Sequence, residues 1–563
     1  MTLHDSLSSA AGDWQSKVAE KRVSCQKAIP QAWTLPTSIL ESLPASTDLA
    51  KTKINLMSLD IPRRSGILTE RELEITESFN VPSLLEGLAS GKLTSLEVTL
   101  AYSKRAAIAQ QLTNCLTETF FERAQERARH LDDLRSEGKL AGPLHGLPVS
   151  LKDTYQVEGT QATIGAAAFL DRTSKENSAL VNILLGLGAV LYVKTNVSQV
   201  LMTVESDNNV FGRVLNPWNT MLTAGGSSGG EGALVAFRGS PLGVGTDLAG
   251  SIRIPSLCCG TYGFKPTAGR IAYGGQVMPL NAGIGAILPS AGPFANDMEA
   301  LRIFMKAIIE ARPFRHDPTA IDVPWRNIDG SPRSKLRLGL LAEDPLFPLQ
   351  PPVKETVVKA VELLRSHGHE IVVLDPAECH VAAANQIAGG LLSLDSTPGE
   401  IIASSGEPIV PSMRMFAEQM EKIDWDFVPD LSAMDSLQKF GTLQNKRAQI
   451  IEAWQRVWVK HDIDAVIAPS AQNTAVEHDK FGWPAYSTFL NALDYPACII
   501  PFGKAGNCEV EFTIKPGQGT PAYNSEIVDG APCSIQIFTS RMRDEECLEV
   551  AAVVDACLRD NAN

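Results

Sequence analysis

The chain has 563 residues, 44% of them hydrophobic and 20% charged, which is an ordinary composition for a soluble globular protein. Its net charge of −14 is spread without any Lys/Arg cluster, which argues against nucleic acid and against an anionic membrane surface as partners. Ten cysteines form no CxxC pair and no cysteine–histidine cluster with zinc spacing, so the reading is buried thiols, Cys258 and Cys259 included, with no metal implied. The opening MTLHDSLSSAAGDWQSK lacks the apolar core of a signal peptide, and the longest apolar run, 179–193, is interrupted by Asn182 and too short to span a bilayer. A reducing, cytoplasmic setting is therefore expected. Length alone would suggest about three or four domains. No linker or repeat supports such a split, so one large domain (76–563) preceded by a helical arm (1–75) is the predicted organisation.

In chain order, residues 1–75 read as helical, broken at the proline-bearing stretches 29–36 and 61–62. Residues 81–138 carry a helical pattern, with Thr94 and Glu97 as a capping box. A turn then leads into a strand at 147–151 that ends at Lys152. A helix at 178–187 and a strand at 189–194 follow. Between Gly225 and Arg253 two glycine-rich turns enclose a short helix and a short strand. Beyond them the spacing predicts strands at 336–341, 371–374, 465–468, 498–501 and 534–538, and helices at 354–366, 435–460 and 545–558. Strands alternating with helices predict an α/β fold with one extended, mostly buried sheet covered by helices on both faces.

The stretch GGSSGGEGALVAFRGSPLGVGTDLAGSIR, residues 225–253, carries the chemistry. Serine supplies an attacking hydroxyl, and glycine lets backbone N–H groups crowd around a developing oxyanion. Three readings compete. Residues 225–229 match GxSxG, the nucleophile elbow, with His478 as the nearest candidate histidine, but NPWNTMLTA is a poor strand to precede it. Residues 243–250 suggest a phosphate loop, but no Lys-Ser/Thr follows, and the dinucleotide version lacks its strand–turn–helix unit. The third reading needs no histidine: Lys152, in GLPVSLKD, becomes a base if burial keeps it neutral, although a surface lysine capping a strand is the simpler alternative.

GLPVSLKD, GGSSGGEGA and GTDLAGSIR resemble, in order and spacing, the amidase signature family. Seventy-five positions separate Lys152 from Ser227, and 24 separate Ser227 from Ser251. KRAAIAQQLTNC (104–115), GPLHGLPVSLKD (142–153) and SSGEP (404–408) are similar to the fungal acetamidase-type general amidases of that family. The resemblance implies one large domain with a mixed, twisted sheet, and a Ser–Ser–Lys triad. Ser251 would form the acyl-enzyme, Ser227 would bridge after a cis Gly226–Ser227 bond, and Lys152 would be the base. The N–H groups of Leu248, Ala249, Gly250 and Ser251 would form the oxyanion hole. Ser228 would support by hydrogen bonding. Asp247 and Arg253 would either fix the loop as a pair or sit as a solvated pair.

The family usually has glycine where this chain has Ala249; if that position needs φ > 0, alanine costs roughly 1–2 kcal/mol. Leu201 matches by position a residue lining the family's acyl pocket, with ordinary core as the alternative. Met413, Met415, Phe416 and Trp425 are candidates for a hydrophobic mouth, again against simple packing. The resemblance implies a small aliphatic or aryl amide as substrate, no cofactor and a homodimer. Two other readings remain at this level: a glutamine-using transamidase subunit, and a non-catalytic binding descendant suggested by Ala249.

Overall fold

The computed structural model describes residues 14–328, 335–506 and 512–560. Eleven strands form one mixed sheet: β1 (Leu116–Thr119), β2 (Pro148–Lys152), β3 (Val190–Thr195), β4 (Leu242–Asp247), β5 (Tyr262–Lys265), β6 (Ser290–Ala295), β7 (Arg337–Leu340), β8 (Glu370–Val373), β9 (Ala465–Pro469), β10 (Ala497–Lys504) and β11 (Pro532–Phe538). Their spatial order is β1-β3-β2-β4-β6-β5-β10-β11-β9-β7-β8. β2 runs parallel to both β3 and β4, and β7 runs parallel to both β8 and β9; the central strands pair antiparallel.

Alternation along the strands assigns the two faces. In β9, Ala465 and Ile467 join one apolar cluster while Val466 and Ala468 join another. The first cluster is covered by the helices Pro351–Ser366 and Asp544–Arg559, the second by Val381–Leu392, Ser436–His461 and Ala485–Leu493. Both faces are thus buried, as the near-continuous apolar strands demand.

Two expectations need correction. The region 81–138 is not helical throughout: β1 interrupts it between the helices Ser95–Thr113 and Phe121–Ser136. Asn114 ends the first helix in a left-handed conformation, and Leu116–Thr119, starting two residues on, pair with β3. Second, Ile61–Pro62 is a helix start, since Pro62 sits in the first turn of the helix Ile61–Arg64, where its missing N–H costs nothing. The described part of the 1–75 segment packs Trp33, Leu56, Ile61 and Leu73 into the same cluster as the main sheet. Thr94 does cap its helix, its hydroxyl oxygen accepting the Glu97 N–H at 3.1 Å, but the box is half made: the Glu97 carboxylate takes the Thr94 hydroxyl at 3.2 Å rather than its backbone N–H. Among the described residues no helix is long and apolar enough to cross a membrane.

Candidate active site

β2 and β4 are parallel neighbours, so their carboxyl ends, Lys152 and Asp247, open at the same end of the sheet. Crevices at such strand ends are where open α/β sheets place ligands. The chain leaves β4 through Leu248–Ile252 and enters the helix Arg253–Cys259; Ser251 sits in that turn, half-buried. The Ser227 turn lies before the helix Gly229–Ala236, and the Gly226–Ser227 bond is cis.

Lys152 is no surface cap; it is fully buried. Its Nζ lies 2.7 Å from Ser227 Oγ, 2.8 Å from Thr246 Oγ1 and 3.4 Å from the Thr246 carbonyl oxygen. Burial lowers the Lys152 pKa to about 7, against the opposing fields of Asp247 and Glu231. Ser228, also buried, donates to the Thr246 carbonyl at 3.4 Å.

The turn bearing Ser251 is fastened by Asp247. Its carboxylate accepts the N–H groups of Gly250 (2.8 Å) and Ile252 (3.1 Å), and receives Arg253 Nε and Nη2 at 3.0 Å each. Both side chains are 0% exposed, so the solvated-pair alternative falls. Burial alone would raise the Asp247 pKa, but the Arg253 guanidinium outweighs it and holds the carboxyl well below the usual carboxylate range. Arg253 is held in turn by the Ser487 carbonyl (2.8 Å) and Gln536 (3.2 Å), and Asn491 bridges both partners.

Gly250 takes the left-handed position of the turn at φ 119°, and a Cβ there would stand 2.8 Å from Ser487 Cβ. Ala249 is not among the residues with positive φ, so its methyl carries no backbone penalty of the kind its position raised. Of the four N–H groups expected in the oxyanion hole, that of Gly250 is given to Asp247. Among the described residues, those of Leu248, Ala249 and Ser251 make no hydrogen bond.

The competing motifs dissolve. No strand precedes Gly225, and His478 has both ring nitrogens engaged, with Glu205 Oε1 at 2.9 Å and the Thr220 carbonyl at 3.0 Å. Gly243 and Gly245 lie inside β4 rather than in a phosphate loop. The four candidate mouth residues do not converge. Met413 packs with Leu201 against Ile401 and Ile402, Phe416 and Trp425 join the second large cluster, and Met415 is exposed. Leu201 itself is half-buried in a left-handed turn at φ 60°. Cys258 and Cys259 are buried free thiols.

Thr246, Asn491 and Gln536 escaped the sequence reading. Thr246 had a signal, as a polar residue next to Asp247 at the end of an apolar strand; the other two arrive from more than two hundred positions away and had none.

A family model described as Amidase matches residues 97–548. An amidase of Gibberella moniliformis is 38% identical over 552 residues, covering 97% of this chain and 99% of its own. An acetamidase of Emericella nidulans is 34% identical over 572 residues, covering 97% and 98%. A solved fatty acid amide hydrolase superposes with a TM-score of 0.86 at 29% identity, covering 97% of this chain and 95% of that one. A buried lysine beside a serine hydroxyl, a second serine on a fastened turn and this agreement over nearly the whole length lead to one conclusion: the chain belongs to the amidase signature family and is an amide hydrolase.

Proposed function

We propose that the chain cleaves carboxylic acid amides through an acyl-enzyme on Ser251, with Ser227 as proton bridge and Lys152 as base. The contact that carries the reading is the 2.7 Å approach of Lys152 Nζ to Ser227 Oγ in a fully buried setting. A neutral lysine has two N–H groups and one lone pair. Thr246 offers two acceptors, its hydroxyl and carbonyl oxygens, which leaves the lone pair facing the Ser227 hydroxyl.

Ser251 Oγ attacks the amide carbonyl carbon and loses its proton to Ser227 Oγ, as the Ser227 proton passes to Lys152 Nζ. The oxyanion is met by the N–H groups of Leu248, Ala249 and Ser251, each worth about 3–4 kcal/mol if well aimed. The C–N bond then breaks, and the relay runs backwards to protonate the leaving nitrogen as ammonia or amine. Water, deprotonated by the same relay, cleaves the ester to the acid and restores Ser251. Asp247, Arg253 and Ser228 hold the two serine turns and touch no reacting atom. Small aliphatic or aryl amides are the proposed substrates; the similarity to an acetamidase supports the first class.

The test is labelling with a serine-directed fluorophosphonate, followed by intact-mass measurement and peptide mapping. One adduct on Ser251, absent from Ser251→Ala, is the expected result. An adduct on Ser227 or Ser228 instead, or none on the folded protein, would overturn the assignment.

A further inference from the structure

Beneath Lys152 lies a buried carboxyl that the proposed relay does not use. Glu231 stands in the first turn of the helix Gly229–Ala236 and reaches the sheet where β2, β3 and β4 lie side by side. Gly243 of β4 makes room for it: a Cβ at that position would stand 2.1 Å from Glu231 Oε2. Among the described residues, no cation stands within ion-pair distance of this carboxyl, and Lys152 is the cation whose field it feels.

Counting hydrogens settles what the contacts require. Ser150 Oγ lies 2.6 Å from Glu231 Oε2 and 2.9 Å from Ser240 Oγ. Ser240 Oγ lies 3.0 Å from the Leu242 carbonyl oxygen. A hydroxyl owns one hydrogen, and a carbonyl only accepts. Ser240 therefore donates to Leu242, Ser150 donates to Ser240, and Ser150 Oγ is left to accept from Glu231. All three contacts are hydrogen bonds together only when Oε2 carries a proton. The other oxygen, Oε1, accepts from the Thr195 hydroxyl at 2.9 Å.

We propose that Glu231 is a positioning residue held as a neutral carboxylic acid in the working enzyme, and that its proton removes a field that would otherwise oppose the loss of charge on Lys152. This rests on Lys152 being the base. An ionised Glu231 would favour the ammonium form of its neighbour; a neutral one does not. Burial pushes the Glu231 pKa up to about 8, in agreement with the hydrogen count. The other titratable groups facing it are Cys115, Tyr155 and Tyr192, all pushed up by burial and hence neutral. Asp247, the remaining charge near Lys152, is matched by Arg253.

The neutral pair and the ion pair hold the same number of protons, so a pH profile alone does not tell them apart. Isotope-edited infrared spectroscopy of the full chain, with labelled glutamate, does. The expected result at neutral pH is a protonated-carboxyl band that is lost in Glu231→Gln. Ser150→Ala, which removes the acceptor, shifts that band to higher frequency and supplies the assignment if Glu231→Gln does not fold. Glu231→Gln puts an amide N–H where the acid O–H was, so it keeps kcat/KM within about tenfold with its acidic limb in place, whereas Glu231→Ala loses more than that. A wild-type protein without the band overturns the proposal, as does a Ser150→Ala spectrum with the band unmoved. A shift of the acidic limb to lower pH in Glu231→Gln also overturns it, because that shift means a carboxylate had been holding an ammonium. If Lys152→Met stays active while the band persists, the base assignment fails and the protonated Glu231 stands.

Discussion

Two lysines on neighbouring strands, Lys152 on β2 and Lys194 on β3, are both completely buried, yet the protein treats them oppositely. Lys194 Nζ stands 3.1 Å from Asp153 Oδ1, and that carboxylate also accepts from Thr117 (3.0 Å) and from the Thr163 hydroxyl (2.7 Å). Lys152, the residue next to Asp153 in sequence, has only hydroxyl and carbonyl oxygens around its amine. The difference teaches that burial alone does not make a base. A carboxylate partner makes a buried lysine an ion pair, a piece of architecture; hydroxyl partners leave burial free to lower its pKa, as the proposed role of Lys152 as base requires.

The comparison can be broken or sharpened by substitution. Lys152→Met should lower kcat/KM by roughly 10³–10⁴-fold while leaving the denaturation midpoint close to wild type. Lys194→Met should do the reverse, because it leaves the Asp153 carboxylate buried without a cation, a loss of about 3–5 kcal/mol in a denaturant titration. If both variants were merely unstable, the functional contrast would be wrong. Thr246→Asp gives Lys152 the kind of partner Lys194 already has. It should drive the acidic limb of kcat/KM upward by more than about one pH unit and cut activity at neutral pH about tenfold.

In the wild type, kcat/KM should rise as pH rises through about 7, the value to which burial lowers Lys152. The sign follows from the role: below that pH the ammonium has no lone pair to receive the Ser227 proton. A profile flat across that region would remove Lys152 from the mechanism. The smallest effect is expected from Ala249→Gly, which should change kcat/KM by no more than about twofold, since the position has no positive φ for glycine to relieve. A large gain would show that the methyl obstructs substrate.

The strands that carry the site were legible because they are apolar runs ending in polar residues: 147–151 predicts β2 and 189–194 predicts β3, each within a residue or two. β6 was not legible. It reads SAGPFA, with Pro293 in a central strand where proline is seldom tolerated, and only its pairing with β4 and β5 makes it a strand. β1 is four residues between two helices, too short for any period to show. At the site, the local pieces were visible in the glycine-rich stretch, including the Asp247–Arg253 neighbourhood. Whether that pair was buried was not, because its burial depends on Ser487, Asn491 and Gln536, which no spacing connects to it. Leu201 shows the same limit: it packs against Ile401 and Ile402, some two hundred positions on.

The long reach of Arg253 also has a consequence in time. Its guanidinium is gripped by residues 238 and 283 positions further along, the second of them on β11. A chain emerging from the ribosome has both serines and the lysine long before it has Asn491 and Gln536. Until those residues arrive, the Arg253 beside the turn bearing Ser251 lacks two of the groups that grip it. The local sequence writes the site early, but its anchoring waits for β11.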